Sequence, residues 1–138
     1  MRRFLSRTLC AALCLAVCLL TGCITRQEEG QKIRDLEFTV LDKEDVPEEL
    51  SSLIEEKQEE AFRLTYIDQG YLYIAEGYGR QPTTGYSVEV NALYETEEAV
   101  CIRTTLLGPE AGEEIKKIST YPYVAVQTEA VEKDVYYP

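Results

Sequence analysis

Gly79-Arg80-Gln81-Pro82-Thr83-Thr84-Gly85-Tyr86 lies between two runs of alternating apolar residues. Before it, Leu72 and Ile74 share one face and Tyr71, Tyr73 and Ala75 the other. After it, Tyr86, Val88, Val90 and Ala92 alternate with Ser87, Glu89 and Asn91. A period of two is the signature of a strand, so the stretch is expected to be a loop joining strands of one sheet. Pro82 fixes φ and offers no N–H to a ladder, while Gly85 can adopt φ > 0. The hydroxyls of Thr83 and Thr84 can bond their own backbone and stiffen the loop. A stiff polar loop held by a sheet makes a recognition surface; a plain turn fits the same residues.

Outward from this loop the chain keeps punctuating strands. Asp68-Gln69-Gly70 turns a hairpin between the run from Arg63 and the run from Tyr71. Glu95-Thr96-Glu97 turns the chain into Val100, Ile102, Thr104 and Leu106. Gly108-Pro109-Glu110-Ala111-Gly112 opens a longer polar connection to a last strand, Tyr121–Val126, whose start Pro122 places at an edge or bulge. Toward the N-terminus, Leu36, Phe38 and Val40 alternate within one half-buried strand, Ile33 to Leu41. A helix follows, with Asp45 as cap, Pro47 in the first turn and Glu48 at capping-box spacing. Leu50, Leu53, Ile54 and Ala61 form its apolar stripe, opposite a solvated face of Glu55, Glu56, Glu59 and Glu60. The expected fold class is α+β, one helix on a largely antiparallel sheet of five or six strands. An immunoglobulin-like β-sandwich is the alternative, disfavoured by the helix.

The first 22 residues have the form of a secretory signal: Arg2, Arg3 and Arg7, then an apolar run from Leu9 to Leu20. Leu20-Thr21-Gly22-Cys23 resembles the bacterial lipobox, which implies lipidation of Cys23 and cleavage before it. An uncleaved membrane anchor is the competing reading, although Thr8 to Ile24 is short for a span of about 20 residues. Residues 23–32 form a polar tether, and 33–138 a single domain. Loss of the three arginines takes the formal charge from −11 to −14. Such a surface repels nucleic acid and anionic headgroups. The expected location is therefore extracytoplasmic, in the bacterial cell envelope, with the membrane reached through the lipid on Cys23.

Of five cysteines, Cys10, Cys14 and Cys18 fall in the signal and Cys23 at the lipidation position, so Cys101 is left without a disulfide partner. The chain has no histidine, which removes the usual general base, metal ligand and thiol activator. No glycine-rich phosphate cradle follows a strand, and the glutamate-rich helix lacks the Asp/Asn and glycine pattern of a calcium loop. The expectation is no catalytic residues, no metal, no cofactor and no small-molecule substrate. Tyrosine is the enriched type, with ten against three phenylalanines and no tryptophan. Tyr71, Tyr73, Tyr78, Tyr86, Tyr121 and Tyr123 lie in or beside the strands around the loop and the last strand. Large area with a polar end suits an interface; covering one face of the sheet is the alternative use.

Three segments in order, Gln81-Pro82-Thr83-Thr84-Gly85-Tyr86-Ser87-Val88-Glu89, Leu106-Leu107-Gly108-Pro109 and Thr120-Tyr121-Pro122-Tyr123-Val124, resemble the C-terminal domain of PrcB-family lipoproteins over roughly residues 70–128. That family's pattern reads Thr-Gly-Gly-Tyr, and Thr84 stands where its first glycine would be. The family takes its name from an accessory lipoprotein of a surface protease complex, so the resemblance implies a non-catalytic, tethered partner of an exported protease. Pro82-Thr83-Thr84-Gly85-Tyr86 is also similar to a loop that chagasin-type inhibitors insert into papain-class peptidases, although the two further loops of that family have no good counterpart. The expected protein-binding residues are Pro82, Thr83, Thr84, Gly85 and Tyr86, with Tyr121 and Tyr123 nearby.

Overall fold

A computed structural model describes residues 30–138. The signal segment, Cys23 and nearly all of the tether lie outside the described residues, and no helix among the described residues is long and apolar enough to cross a membrane.

Among the described residues, eight strands and one helix follow in the order β1 (Lys32–Asp35), β2 (Phe38–Val40), a single 3-10 turn (Lys43–Asp45), α1 (Glu48–Lys57), β3 (Ala61–Asp68), β4 (Tyr71–Tyr78), β5 (Ser87–Thr96), β6 (Ala99–Leu107), β7 (Tyr123–Glu129) and β8 (Asp134–Tyr136). They form two sheets of four strands, ordered β1-β5-β6-β8 and β2-β7-β4-β3. The expected α+β class, one helix on a single sheet of five or six strands, is therefore incorrect, and the 79–86 loop joins strands of different sheets; the protein is mostly β, and the immunoglobulin-like sandwich describes it better. Every pairing is antiparallel except β6 with β8.

The two sheets face each other across a core of Leu72, Ile74, Val124 and Val126 from one side and Leu93, Val100 and Ile102 from the other. Burial of each such side chain is worth about 1.5–3 kcal/mol relative to exposure. The helix does not compete with the second sheet because it covers the opposite face of β3-β4-β7. There Leu50 and Ile54 pack with Val46, Phe62, Ala75 and Ala125. Ala75 and Ala125 are register partners on adjacent strands, and their small side chains leave room for a helix. Leu53, by contrast, is largely exposed and Ala61 belongs to β3, so the helical stripe is narrower than the sequence implies. Its start also differs: Pro47 occupies the N-cap position with no side-chain cap, and Asp45 lies in the preceding 3-10 turn.

Ile33 to Leu41, expected as one strand, is two. β1 pairs with β5 in one sheet and β2 with β7 in the other. The chain changes sheets at Leu36-Glu37, where the Leu36 N–H donates to the Leu93 carbonyl and the Thr128 hydroxyl to the Glu37 carbonyl. In β5 the register shifts between Val90 and Ala92. This bulge places Leu93 rather than Ala92 in the core.

Candidate functional site

The 79–86 loop leaves β4 through Gly79, whose φ of +78° turns the chain away from the sheet. Gln81 pairs with Thr120, each N–H donating to the other's carbonyl at 2.8 and 3.0 Å. Farther out, the Thr84 N–H donates to the Lys116 carbonyl at 3.1 Å, and the Lys116 N–H donates to Thr84 Oγ1 at 2.9 Å. The Thr120 hydroxyl donates to the Thr83 carbonyl at 2.7 Å. The Thr83 hydroxyl donates to the Thr84 carbonyl at 2.9 Å, the local self-bonding expected from the sequence. Thr84 instead uses its hydroxyl to hold the connection that runs from β6 to β7.

Gly85 closes the loop at φ +93°, and a Cβ there would stand 2.8 Å from Pro109 Cβ. Among the described residues Gln69 is the one non-glycine with positive φ, so Thr84 meets no left-handed backbone. The tip is thus clamped at its base, middle and end by residues 109–120, while Pro82 and Gly85 remain exposed and Thr83, Thr84 and Tyr86 half-buried. Arg80 adds a bond from Nε to Ser119 Oγ at 2.8 Å.

Tyr86, Tyr121 and Tyr123, distant in sequence, border one recess of about 290 Å³ completed by Leu41, Lys43, Thr120 and Pro122. Pro122 stands just before β7, where its carbonyl accepts from the Tyr78 N–H. Tyr121 donates its hydroxyl to Glu59 Oε1 at 3.3 Å. Tyr123 belongs more to the core under the helix, its ring 6.4 Å from that of Phe62. Burial, then the nearby Glu55 charge, pushes its phenol above the ordinary tyrosine range. The remaining tyrosines divide: Tyr66 and Tyr73 pack on each other 6.0 Å apart on the helix side of the sheet, and Tyr78 shares a 2.6 Å hydrogen bond with Thr104 of the facing sheet.

Sequence reasoning missed Leu41, Lys43 and the whole bracing segment. Leu41 ends an alternating run, but nothing local brings it beside Tyr86. The bracing residues carry a polar sequence without periodicity, and only the paired Gly and Pro positions mark them as turning. Among the described residues no group of three or more His, Cys, Asp or Glu is placed to hold a metal ion. Cys101 is buried in β6.

Comparison with known proteins gives one match and two blanks. The family model described as PrcB C-terminal matches residues 72–129, which is β4 through β7 with the tip and its brace inside it. No curated protein and no solved structure matches, and the chagasin likeness of the tip gains no support. The unit from β4 to β7 is thus what carries the likeness to the PrcB C-terminal family.

Proposed function

We propose that this protein is a non-catalytic accessory subunit of an exported protease complex. It is held at the bacterial envelope by a lipid on Cys23 and meets its partner through Pro82, Thr83, Thr84, Gly85 and Tyr86, with Tyr121 and Tyr123 alongside. The observation that carries the reading is the braced tip. Bonds to residues 116–120 set its backbone before any partner arrives, yet Pro82 and Gly85 stay open to solvent. A surface ordered in advance avoids the entropy loss of ordering on contact. The tyrosine-bordered recess beside it adds amphipathic area of the kind interfaces favour. The family match over residues 72–129 supports a place in a protease complex, and the lipobox-like Leu20-Thr21-Gly22-Cys23 supports the tether.

The experiment is affinity purification of the tagged full chain from its own membranes, with Thr84→Asp in parallel. The reading predicts that an exported protease is retained by the native chain and lost with the variant. Release of the native chain from membranes by buffer alone, or retention of the protease by both proteins, overturns it.

A further inference from the structure

We propose that the outer edge of β3 is a second docking site, independent of the tip, to which an extended basic segment of a protein partner adds as a further strand. Three of the four sheet edges are three or four residues long (β1, β2 and β8), whereas β3 presents eight. Short edges are the usual protection against strand addition. Among the described residues nothing pairs with the outer side of β3, and its sequence, Ala-Phe-Arg-Leu-Thr-Tyr-Ile-Asp, contains no proline.

The direction of its backbone groups follows from the neighbouring strands. Leu41 N–H donates to the Ala125 carbonyl, so Ala125 faces β2 and Val124, Val126 and Thr128 face β4. Their partners Glu76, Ile74 and Leu72 then face β7, as the Tyr78 N–H bond to Pro122 also requires. Tyr71, Tyr73, Ala75 and Gly77 therefore bond to β3, and through the register Ala61, Arg63, Thr65 and Ile67 turn their N–H and C=O groups outward. Four donors and four acceptors line one edge.

An added strand must also place alternate side chains on opposite faces, and a groove waits on each. On the helix side, about 550 Å³ is bounded by Phe62, Leu64, the acidic trio Glu56, Glu59 and Glu60, and the basic Lys57 and Arg63. On the sandwich side, about 390 Å³ is bounded by Ala61, Arg63, Glu76 and Tyr78. Arg63 is drawn back over its own sheet, 3.6 Å from Glu76 and 4.5 Å from the Tyr137 ring centroid, which weakens it as an edge guard. Three glutamates outnumber Lys57 and Arg63 in that groove, and Arg63 is already engaged by Glu76, so the edge keeps a net negative charge that favours a basic segment. A second copy fits less well: the chain carries a net charge of −11, and antiparallel pairing of two β3 strands sets Asp68 of each beside Glu59 and Glu60 of the other.

The test uses the isotope-labelled full chain in detergent and a capped seven-residue peptide alternating lysine and valine, with the glutamate–valine peptide as control. Amide exchange is read residue by residue. The proposal expects the lysine peptide to protect the amides of Ala61, Arg63, Thr65 and Ile67 about tenfold or more, leaving Phe62, Leu64 and Tyr66 unchanged. Thr65→Pro removes one outward N–H without breaking a β3–β4 bond and should abolish that alternation. The double variant Glu56→Lys, Glu60→Lys, which spares the Glu59 bond to Tyr121, should weaken binding about tenfold with the fold intact. Uniform or absent protection, equal binding by the control peptide or by Thr65→Pro, or a peptide-free dimer already protecting those four amides would each overturn it.

Discussion

Replacing Gly85 by alanine tests whether the tip is held by its brace. At φ +93° a non-glycine residue costs about 1–2 kcal/mol. The new Cβ would also meet Pro109 Cβ at 2.8 Å and its Cα at 3.4 Å, well inside the ordinary carbon contact of about 3.5–4.0 Å. Pro109 is a rigid ring on the backbone and cannot swing away, so crowding adds about 1–2 kcal/mol, the low end of overpacking because the site is near solvent. The total is about 2–4 kcal/mol. Neither hydrophobic cluster includes the tip, so the protein relieves the strain by lifting the tip from residues 109–120 rather than by unfolding. Hydrogen exchange should then accelerate roughly 30- to 1000-fold at the amides of Gln81, Thr84, Lys116 and Thr120, which carry the bracing bonds. Amides of β4 and β7 should keep their rates. Gly112→Ala is the control, because Gly112 has φ +86° and a Cβ added there would find nothing within 4 Å; it should show the backbone part alone. Unchanged exchange at all four amides in Gly85→Ala would show that Pro109 does not seat the tip.

Other substitutions probe the sandwich. Gly77→Ala would drive a Cβ into the Phe62 ring in the helix-side core. It should destabilise by about 2–3 kcal/mol, a fall in Tm of about 8 °C or more; a melt within about 1 °C of the native protein would contradict this. Hydrogen bonds from Lys133 at 2.8 Å and Arg34 at 2.9 Å hold the Glu95 carboxyl below its ordinary range. A lowered folded value stabilises above the unfolded value and is lost as pH falls through the folded one. Glu95→Gln should therefore be less stable at pH 7, with the gap shrinking below about pH 4; a gap constant with pH in denaturant melts would count against it. Burial, then Glu76, pushes the Tyr137 phenol up to about 12. That stabilisation is complete below the unfolded value near 10 and disappears toward 12. Tyr137→Phe should flatten the alkaline limb, and parallel limbs in the two proteins would disprove the assignment.

The strands were legible wherever one face is apolar. The Asp68-Gln69-Gly70 hairpin, for instance, turns through Gln69 and Gly70 at positive φ. What the sequence concealed was partnership. Phe38 and Val40 continue the alternation of Leu36 without a break, yet the chain changes sheets beside Leu36, because a period of two reports facing and not which strand lies alongside. The helix misdirected the fold class for a related reason. Ala75 and Leu72 sit on opposite faces of β4, and the sequence does not say that a helix covers one while a second sheet covers the other. β8 was missed since three residues, Asp134–Tyr136, carry too little pattern. At the candidate site, Pro82 and Gly85 marked the tip from local chemistry alone. Its brace depends on bonds between residues more than 30 positions apart, such as Thr84 with Lys116, and no local signal encodes those.

The most direct measurement of the accessory role is photo-crosslinking in native membranes, with a photoreactive residue placed singly at Pro82, Tyr86, Ser52 or Glu97. The tip positions should capture an exported protease, while Ser52 on the exposed face of α1 and Glu97 at the far β5–β6 turn should not. Capture from Ser52 or Glu97 as strong as from the tip, or none from Pro82 and Tyr86, would contradict the account.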